Sequence, residues 1–308
     1  MIDVTLLGTA ALFPTPERAL TAAALTCTGR TILFDCGEGT QTAARRWGIS
    51  PLRVDLIALT HYHGDHIFGL PGLMQTMNSL GRTAPLSIAG PEGLEDALAP
   101  ILALAGAMNY PIRRITLPKD GIAMKDIAPG WPDRARLTPF ATRHRVSSQG
   151  YAFELGRTGR FMPERARALD IPTPFWGKLQ RGETVTTESG TFAPDNVLGP
   201  ERRGLKFAFS GDTAPCDALE HAAKDADLLI CEATYGLDEQ APLAAEHGHM
   251  TFAQVAQAAA RAGAKRLWLT HYSQMIENPA ECLPNALAHF ANAECGVDGM
   301  RAELGFGQ

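Results

Sequence analysis

The sequence predicts an α/β fold in which β-sheets are covered by helices. Short apolar runs typical of strands alternate with helix-forming segments in both halves of the 308-residue chain. Several predicted strands end in histidine or aspartate, and the ends of regular elements are where rigid scaffolds carry functional side chains. A hydrophobic content of 45% with 20% charged residues is ordinary for a globular protein, and the length permits one large domain or two smaller ones.

The first half of the chain contains four predicted strands, short runs rich in aliphatic and β-branched residues that cover 4–7, 31–35, 54–60 and 86–90. The turn Gly37-Glu38-Gly39-Thr40 leads into a predicted helix over 41–47, and its glycines permit a tight reversal. A second helix is predicted to begin near Gly69. The segment 93–105 predicts a third helix, because it is rich in alanine and leucine.

The second half shows the same alternation, with predicted strands over 205–209, 228–231 and 267–270 and predicted helices over 251–262 and 279–291. Thr251 stands at the start of the first of these helices, where its hydroxyl can cap the free backbone N–H groups. No short-period repeat is present. The two halves resemble each other only in having strands that end in histidine or aspartate.

The segment 155–182 differs in composition from the rest of the chain. Its charged residues are six basic ones against two acidic ones, namely Arg157, Arg160, Arg165, Arg167, Lys178 and Arg181 against Glu164 and Asp170. It also contains Pro163, Pro172 and Pro174, which interrupt regular structure. The segment therefore predicts an arm that protrudes from the alternating fold. An ordinary solvated excursion is the alternative interpretation.

Composition and charge exclude several classes of protein. No run of about 18 apolar residues is present, which argues against a membrane span, and the N-terminus lacks the basic and apolar regions of a secretion signal. The six cysteines include no C-x-x-C pair and are typical of reduced thiols in a cytoplasmic protein. A net charge of −5 disfavours a surface for nonspecific nucleic-acid binding but is compatible with a local basic patch.

Residues 60–66 read Thr-His-Tyr-His-Gly-Asp-His and directly follow the apolar run 54–59, which is typical of a strand. Three of the nine histidines of the chain fall within six positions here, which chance rarely produces. His61 and His63 are two residues apart and can converge on one ion, while Asp65 and His66 can face a second. Imidazole and carboxylate groups suit zinc, manganese or iron. The heptad therefore predicts a metal site at the end of this strand.

Three later residues stand at the ends of extended segments and complete the ligand set. His144 follows the apolar stretch before Ala141, Asp212 lies in the turn Ser210-Gly211-Asp212 after a strand, and His271 follows the strand 267–270. Taken alone, either histidine suits a structural role. Taken with the heptad, the three residues complete two coordination sites, and the two oxygens of an aspartate in such a turn can reach two metals.

These motifs resemble those of the ribonuclease Z family, the tRNA 3′-processing endonucleases of the metallo-β-lactamase superfamily. The resemblance covers nearly the whole chain and is carried by seven segments, namely 34–41, 61–73 (HYHGDHIFGLPGL), 171–185, 210–213, 232–234, 249–251 and 269–271. It implies a metallo-β-lactamase fold, a four-layer αββα sandwich of two mixed β-sheets flanked by helices. The segments 61–73 and 210–213 match the metal motif and the bridging aspartate of the family.

The resemblance also implies an organisation and partners. Residues 1–308 would form a single metallo-β-lactamase-like hydrolase domain, and residues 155–204 an inserted basic arm that binds tRNA as an exosite. It implies precursor tRNA as substrate, a homodimer, no membrane partner and a cytoplasmic location. Two Zn²⁺ ions are the implied cofactors, with Mn²⁺ or Fe²⁺ as alternatives, because the same ligands accept all three metals.

Residue by residue, the resemblance assigns the ligands of two metals: His61, His63 and His144 for one, Asp65, His66 and His271 for the other, with Asp212 between them. Two such ions can share a water and lower its pKa toward about 7, which supplies a hydroxide for attack on phosphorus. Asp65 would accept the proton of that water. His249 would protonate the leaving oxygen, and Glu232 would set the tautomer of His249 and raise its pKa. For His249 and Glu232, a structural role is the alternative.

Three positions differ from the family pattern, and they motivate a second hypothesis. Cys231 stands where the family has histidine, Thr173-Pro174 replaces a Gly-Pro element, and Ser273-Gln274-Met275-Ile276 lacks an arginine and a tyrosine. The alternative keeps the metal site but acts on a small or cyclic-nucleotide phosphodiester. A β-lactamase or thioesterase on the same fold is a third hypothesis, and a noncatalytic RNA-binding protein with structural metals is a fourth.

Overall fold

The computed structural model describes residues 1–307, and the chain forms two compact units. The larger one, here the sandwich unit, comprises Met1–Glu154 and the chain from Lys206 onward, and the smaller one, the arm unit, comprises Leu155–Leu205. No helix within residues 1–307 combines the length and the apolar character needed to cross a bilayer.

The strands of residues 1–307, in chain order, are β1 (Ile2–Gly8), β2 (Ala22–Cys27), β3 (Arg30–Phe34), β4 (Val54–Ala58), β5 (Leu86–Ala89), β6 (Ile112–Ile115), β7 (Ile122–Ala123), β8 (Ala135–Ala141), β9 (Gln149–Arg157), β10 (Val185–Thr187), β11 (Gly190–Phe192), β12 (Arg202–Phe209), β13 (Leu228–Glu232), β14 (Leu267–Thr270), β15 (Ala293–Cys295) and β16 (Arg301–Leu304). The α-helices are α1 (Thr40–Arg46), α2 (Gly64–Ile67), α3 (Leu70–Ser79), α4 (Leu94–Ala105), α5 (Met124–Ile127), α6 (Pro163–Ala168), α7 (Trp176–Gln180), α8 (Asp217–Ala222), α9 (Ala241–His247), α10 (Phe252–Ala262) and α11 (Pro279–Leu287).

Two mixed sheets of seven strands form the sandwich unit. Their strand orders are β16-β1-β2-β3-β4-β5-β6 and β15-β14-β13-β12-β9-β8-β7. In the first sheet β3 to β6 run parallel, and in the second β12 to β15 run parallel. Parallel strands carry their carboxyl ends to one edge of a sheet, so each sheet gathers its strand-end residues together.

The sheets face each other across an aromatic core. The Phe34 ring of β3 lies 5.3 Å from that of Phe207 and 5.4 Å from that of Phe209, both on β12. One cluster of buried apolar residues joins the first sheet to α3 and α4, and another joins the second sheet to α10 and α11. Burial of such apolar faces is the main stabilising term of the fold. The predicted αββα sandwich of two mixed sheets flanked by helices is therefore confirmed.

The arm unit has a small core of its own. Buried aliphatic residues Ala166, Ile171, Leu179, Val185 and Val197 pack with four half-buried aromatic rings. The Trp176 indole N–H donates to the carbonyl of Ile171 over 2.8 Å, and this bond fixes α7 against the loop before it. Five of the six basic residues counted in the segment 155–182 are exposed, with Arg157 half-buried.

Most predicted elements are present, with shifted ends. The capping role predicted for Thr251 is confirmed, since its hydroxyl accepts the Gln254 N–H at 3.3 Å at the start of α10. The helix predicted over 279–291 ends at Leu287, and beyond it the half-buried Phe290 ring packs on the core before β15 begins. The strand β4 ends at Ala58, two residues before the predicted Thr60.

Candidate metal centre

The two sheets bring the predicted ligand residues to one edge of the sandwich unit. His61 lies just beyond β4, and the one-turn helix α2 carries Asp65 and His66. Asp212 follows β12 and His271 follows β14, in the other sheet. Four of these side chains are at most 3% exposed, and Asp65 is 8% exposed. The donor side chains are therefore largely shielded from solvent.

The first group of donors consists of His61, His63, His144 and Asp212, whose donor atoms all lie within 4.8 Å of one another. His63 Nδ1 lies 2.9 Å from His61 Nε2 and 3.4 Å from His144 Nε2. Asp212 Oδ2 lies 3.6 Å from His61 Nε2 and 3.9 Å from His144 Nε2. Three imidazoles and one carboxylate oxygen thus surround one point.

The second group consists of Asp65, His66 and His271, again within 4.8 Å of one another. His271 Nε2 lies 3.3 Å from His66 Nε2 and 3.4 Å from Asp65 Oδ2. The other oxygen of Asp212, Oδ1, lies 3.4 Å from His66 Nε2 and 3.3 Å from His271 Nε2. Asp212 therefore faces the first group with one oxygen and the second group with the other.

Asp35 and Thr60, at the ends of β3 and β4, orient the histidines of the first sheet. Asp35 accepts the Thr60 N–H at 2.7 Å, the Thr60 hydroxyl at 2.9 Å and His66 Nδ1–H at 2.8 Å. Because the Thr60 hydroxyl donates to Asp35, its oxygen accepts His61 Nδ1–H, which is 3.1 Å away. Both imidazoles therefore donate Nδ1–H away from the site and turn Nε2 into it.

Glu232 and Thr234, at and just beyond the end of β13, orient the histidines that lie beside the second sheet. Glu232 accepts the Thr234 hydroxyl at 2.8 Å, so the Thr234 oxygen accepts His271 Nδ1–H at 2.9 Å. Glu232 also accepts His249 Nδ1–H at 2.9 Å and the N–H of Thr213 at 3.0 Å. The carboxylate thus orients one imidazole of the second donor group and one imidazole outside it.

Two residues of the site adopt backbone conformations that non-glycine residues rarely take. Asp35 has φ of 58° and His271 has φ of 59°. A left-handed conformation costs such residues about 1–3 kcal/mol and persists only where surrounding contacts over-determine it. At both positions the side chain is held by hydrogen bonds to threonine or histidine. The strain therefore lies at Asp35, which orients two imidazoles, and at His271, which is itself a donor.

Burial and charge shift the pKa values of these groups in opposite directions. Desolvation lowers the pKa of His61 to about 2 and also lowers the pKa of His63 and His144, so these rings are neutral and able to ligate. Burial raises the pKa of Asp212, but nearby His271 and His66 outweigh it and hold that pKa well below its usual range.

His249 shows the opposite balance. Burial lowers its pKa, but the charge of Glu232 and the hydrogen bond to it outweigh burial and raise the pKa to about 9. This imidazole is therefore protonated at neutral pH, unlike the three rings of the first donor group.

The donor set fits a pair of cations. Ring nitrogens approach one another at 2.9–3.4 Å, and Asp212 Oδ1 is buried without any hydrogen-bond partner within residues 1–307. Nitrogen and carboxylate oxygen atoms packed this closely away from water are favourable only where positive charge lies between them. Ligands about 2.0–2.1 Å from a tetrahedral zinc ion are separated by roughly 3.3 Å, which matches these spacings.

The donors open into a cavity of about 530 Å³. Its wall includes Asp65, Asp212, His249 and His271 together with the exposed side chain of Arg145. His249 is 9% exposed, and its donor atom lies within 4.8 Å of those of Asp212 and His271. A substrate in this cavity can therefore touch both donor groups and His249 at once.

Every residue that the sequence analysis assigns to this site falls in one place, but the roles of these residues as ligands and catalysts stay predictions. Sequence reasoning missed Asp35, Thr60, Thr234 and the Gly248 carbonyl, which accepts His144 Nδ1–H at 2.9 Å. Asp35 stands at the end of a strand, as the ligands do, so its position was an available signal. A backbone carbonyl has no signature in a sequence.

Comparisons with known proteins agree with this architecture. A profile described as "Metallo-beta-lactamase superfamily" matches residues 25–79, and one described as "Beta-lactamase superfamily domain" matches residues 193–272. The chain is 40% identical to "Ribonuclease Z" of Lachnoclostridium phytofermentans over 308 residues and 40% identical to that of Agathobacter rectalis over 306, each with 99% of both chains covered. It superposes on human tRNase Z, short form, with a TM-score of 0.68 and 27% identity, covering 99% of this chain and all of that one.

Proposed function

Because the chain belongs to the ribonuclease Z family of the metallo-β-lactamase superfamily, we propose that it is a zinc-dependent endonuclease that removes the 3′ trailer from precursor tRNA. The names of its relatives support the substrate. The observation that carries the chemistry is Asp212, whose two oxygens face the two donor groups at 3.3–3.9 Å. A carboxylate so placed suits a pair of metals and has no other partner for Oδ1.

In this proposal His61, His63, His144 and Asp212 hold one zinc ion, and Asp65, His66, His271 and Asp212 hold the other. When bound, such a pair would supply positive charge beside the phosphoryl oxygens and would lower the pKa of a bound water toward about 7. Thr60 and Thr234 keep Nε2 of His61 and His271 free of a proton, so that these nitrogens remain available as ligands.

Three residues would handle protons and orientation. Asp65 Oδ2 accepts the Leu12 N–H at 2.8 Å, which leaves Oδ1 to accept the proton of the attacking water. His249 donates Nδ1–H to Glu232, which leaves Nε2 to protonate the leaving oxygen of the cleaved bond. Glu232 is buried and held by the N–H groups of Thr213 and Thr234, so it is a positioning residue for His249.

The arm, residues 155–204, would bind the tRNA body in a homodimer. Arg160 and Lys178 are exposed within it and make no ion pair among the described residues, so both are free to meet phosphates. Charge reversal at these two positions should weaken binding and lower the salt dependence of binding by about one counterion for each phosphate that is no longer bound. Analytical ultracentrifugation of the purified protein would test the dimer.

The proposal is tested by cleavage of a precursor tRNA transcript that carries a 3′ trailer. Protein stripped of metal by a chelator should be inactive, and zinc should restore release of the trailer, with manganese and iron as comparisons. Asp212→Ala is the matched inactive variant. If zinc-loaded wild-type protein with two bound equivalents of metal leaves the transcript intact, the proposed function is wrong.

The departures at Thr173-Pro174 and Met275-Ile276 favour a test of the small-phosphodiester alternative in the same assay. Turnover of a cyclic nucleotide and of a chromogenic phosphodiester would be measured beside the transcript. An endonuclease should favour the transcript in kcat/KM, because the arm contributes binding only for a large substrate. The reverse order would favour the alternative.

A further inference from the structure

Two phenylalanine rings in the wall of the metal cavity are more than half exposed. Phe13 is 52% exposed and Phe68 is 67% exposed, and both line the cavity that contains Asp65 and His271. Large apolar surfaces left open beside charged groups are typical of binding sites. Within residues 1–307, neither ring has an aromatic or cationic partner. The exposed part of each ring is therefore open to a ligand.

The Phe68 ring is fixed beside the donor residues. The backbone N–H of Phe68 donates to the Gly64 carbonyl at 2.9 Å. The backbone N–H of Gly69, directly before α3, donates to the Cys36 carbonyl at 2.9 Å. A Cβ added at Gly64 would collide with this ring, so the ring lies against the backbone between His63 and Asp65. The ring is thus presented from rigid structure, and not from a mobile loop.

Phe13 is presented by a strained turn. Its N–H donates to the Ala11 carbonyl at 2.7 Å, which closes a γ-turn around Leu12 with φ of 63°. Turns of this sign are rare, and such strain occurs at functional sites. The Leu12 N–H donates to Asp65 Oδ2 at 2.8 Å and the Ala11 N–H to Tyr272 at 3.0 Å, so two segments that carry donor residues hold the turn in place.

We propose that Phe13 and Phe68 form a stacking site for the unpaired nucleobases that flank the scissile phosphate. The inference rests on the proposed function, because a phosphate cut at the donor groups places its neighbouring bases within reach of rings attached to the same residues. Every base has a π-face and stacks on aromatic side chains without regard to sequence. Arg145, exposed in the same wall, adds the positive charge that accompanies such rings in single-strand sites.

The test combines ring removal with base removal. Phe13→Leu and Phe68→Leu would be assayed on the precursor transcript and on transcripts abasic on the 5′ or the 3′ side of the cleavage point. We expect each leucine variant to lose roughly tenfold in kcat/KM on the intact transcript, since stacking on one base is worth about that much. The loss should disappear on one of the abasic transcripts. Phe68→Tyr and Phe68→Trp should restore cleavage, because they keep the ring.

Leu104→Ala is the matched control, an exposed apolar side chain on α4 outside the cavity. It should cleave all transcripts as the wild type does. Equal losses on intact and abasic transcripts, or no loss at all, would overturn the stacking site. So would leucine variants that dissociate a dimer, because the rings would then contact a second copy.

A binding measurement separates this inference from the proposed function. A single-stranded oligonucleotide with 2-aminopurine beside the equivalent phosphate reports stacking through quenching of its fluorescence and requires no cleavage. Quenching by the wild type that is lost in Phe68→Leu supports the stacking site even if the tRNA substrate is wrong. Absence of quenching by a wild type that binds the oligonucleotide overturns the stacking site even if tRNA is cut.

Discussion

Two hydrogen-bonded relays, one in each sheet, support the candidate metal centre. Both consist of a carboxylate, a threonine and a histidine, but they differ in the further histidine that the carboxylate holds. In each, a buried carboxylate accepts a threonine hydroxyl, and the threonine oxygen in turn accepts Nδ1–H of a donor histidine. The first relay runs from Asp35 through Thr60 to His61, and the second from Glu232 through Thr234 to His271. Each therefore turns an unprotonated Nε2 toward the site.

The relays differ in the second histidine that each carboxylate holds. Asp35 holds His66, a member of the second donor group, whereas Glu232 holds His249, which belongs to neither principal group. Under the proposed function, a carboxylate that serves only proposed ligands would contribute to metal affinity, while one that also serves a protonated imidazole would contribute to proton transfer. The same arrangement of carboxylate, threonine and histidine can therefore support metal binding or proton transfer, depending on which second imidazole the carboxylate holds.

The largest effect should follow loss of the proton donor in the second relay. His249→Ala should lower kcat by roughly 10²–10⁴ with two metals still bound, because general acid catalysis is lost and no ligand is removed. Single-turnover cleavage with elemental analysis would measure both quantities. His247→Ala, which removes a neighbouring histidine bonded to Tyr235 at 2.6 Å, is the control and should remain active. Loss of metal from His249→Ala would contradict the division of tasks.

The carboxylate of the first relay should act on metal affinity. Asp35→Asn removes the charge that supports His66 and His61, so the affinity for metal should fall about 10–100-fold. At saturating metal the kcat should return close to the wild-type value. Competition with a chromogenic chelator would measure affinity. A kcat that stays low in a fully loaded variant would show that Asp35 also takes part in the reaction.

The carboxylate of the second relay should act on pH dependence. The pKa of His249 is raised to about 9, so its protonated form is present below that pH and is lost as pH rises through it. Glu232→Gln removes the cause of the raised pKa, and the alkaline limb of the pH–rate profile should therefore move to lower pH. A profile of kcat from pH 6 to pH 10 would show the shift. Asp35→Asn should leave this limb in place, and an equal shift in both variants would break the comparison.

The smallest effects should come from the threonines. Thr60→Val and Thr234→Val each remove hydroxyl bonds worth about 1 kcal/mol, so each should weaken metal binding about fivefold. Isothermal titration of metal into the stripped protein would measure the change. Similar losses in both variants would support the equivalence of the relays, while an unchanged affinity in either would exclude that threonine from orienting its histidine.

Much of this architecture could be predicted because ligands and strands leave patterns in a sequence. The heptad 60–66 concentrates donors at a strand end, and Asp212 and His271 follow strands in the same way. Asp35 also follows a strand, but it and Thr60 act through hydrogen bonds between residues that are far apart in the sequence. Their roles emerge only when β3 and β4 pair side by side.

Element ends and connections were less predictable for a related reason. The strand β2 begins with Ala22-Ala23-Ala24, where alanine favours helix, and its pairing with β1 and β3 overrides that preference. The γ-turn at Leu12 is held by contacts with Asp65 and Tyr272, far away in sequence. Long-range contacts of this kind decide local conformation where propensity is weak or opposed.

The close packing of the donor nitrogens links the stability of the folded protein to the supply of metal. Any metal that binds the folded chain and not the unfolded one adds to its stability, by about 2.7 kcal/mol when free metal exceeds the dissociation constant a hundredfold. Scarcity of metal would thus lower the resistance of the chain to heat and to proteases.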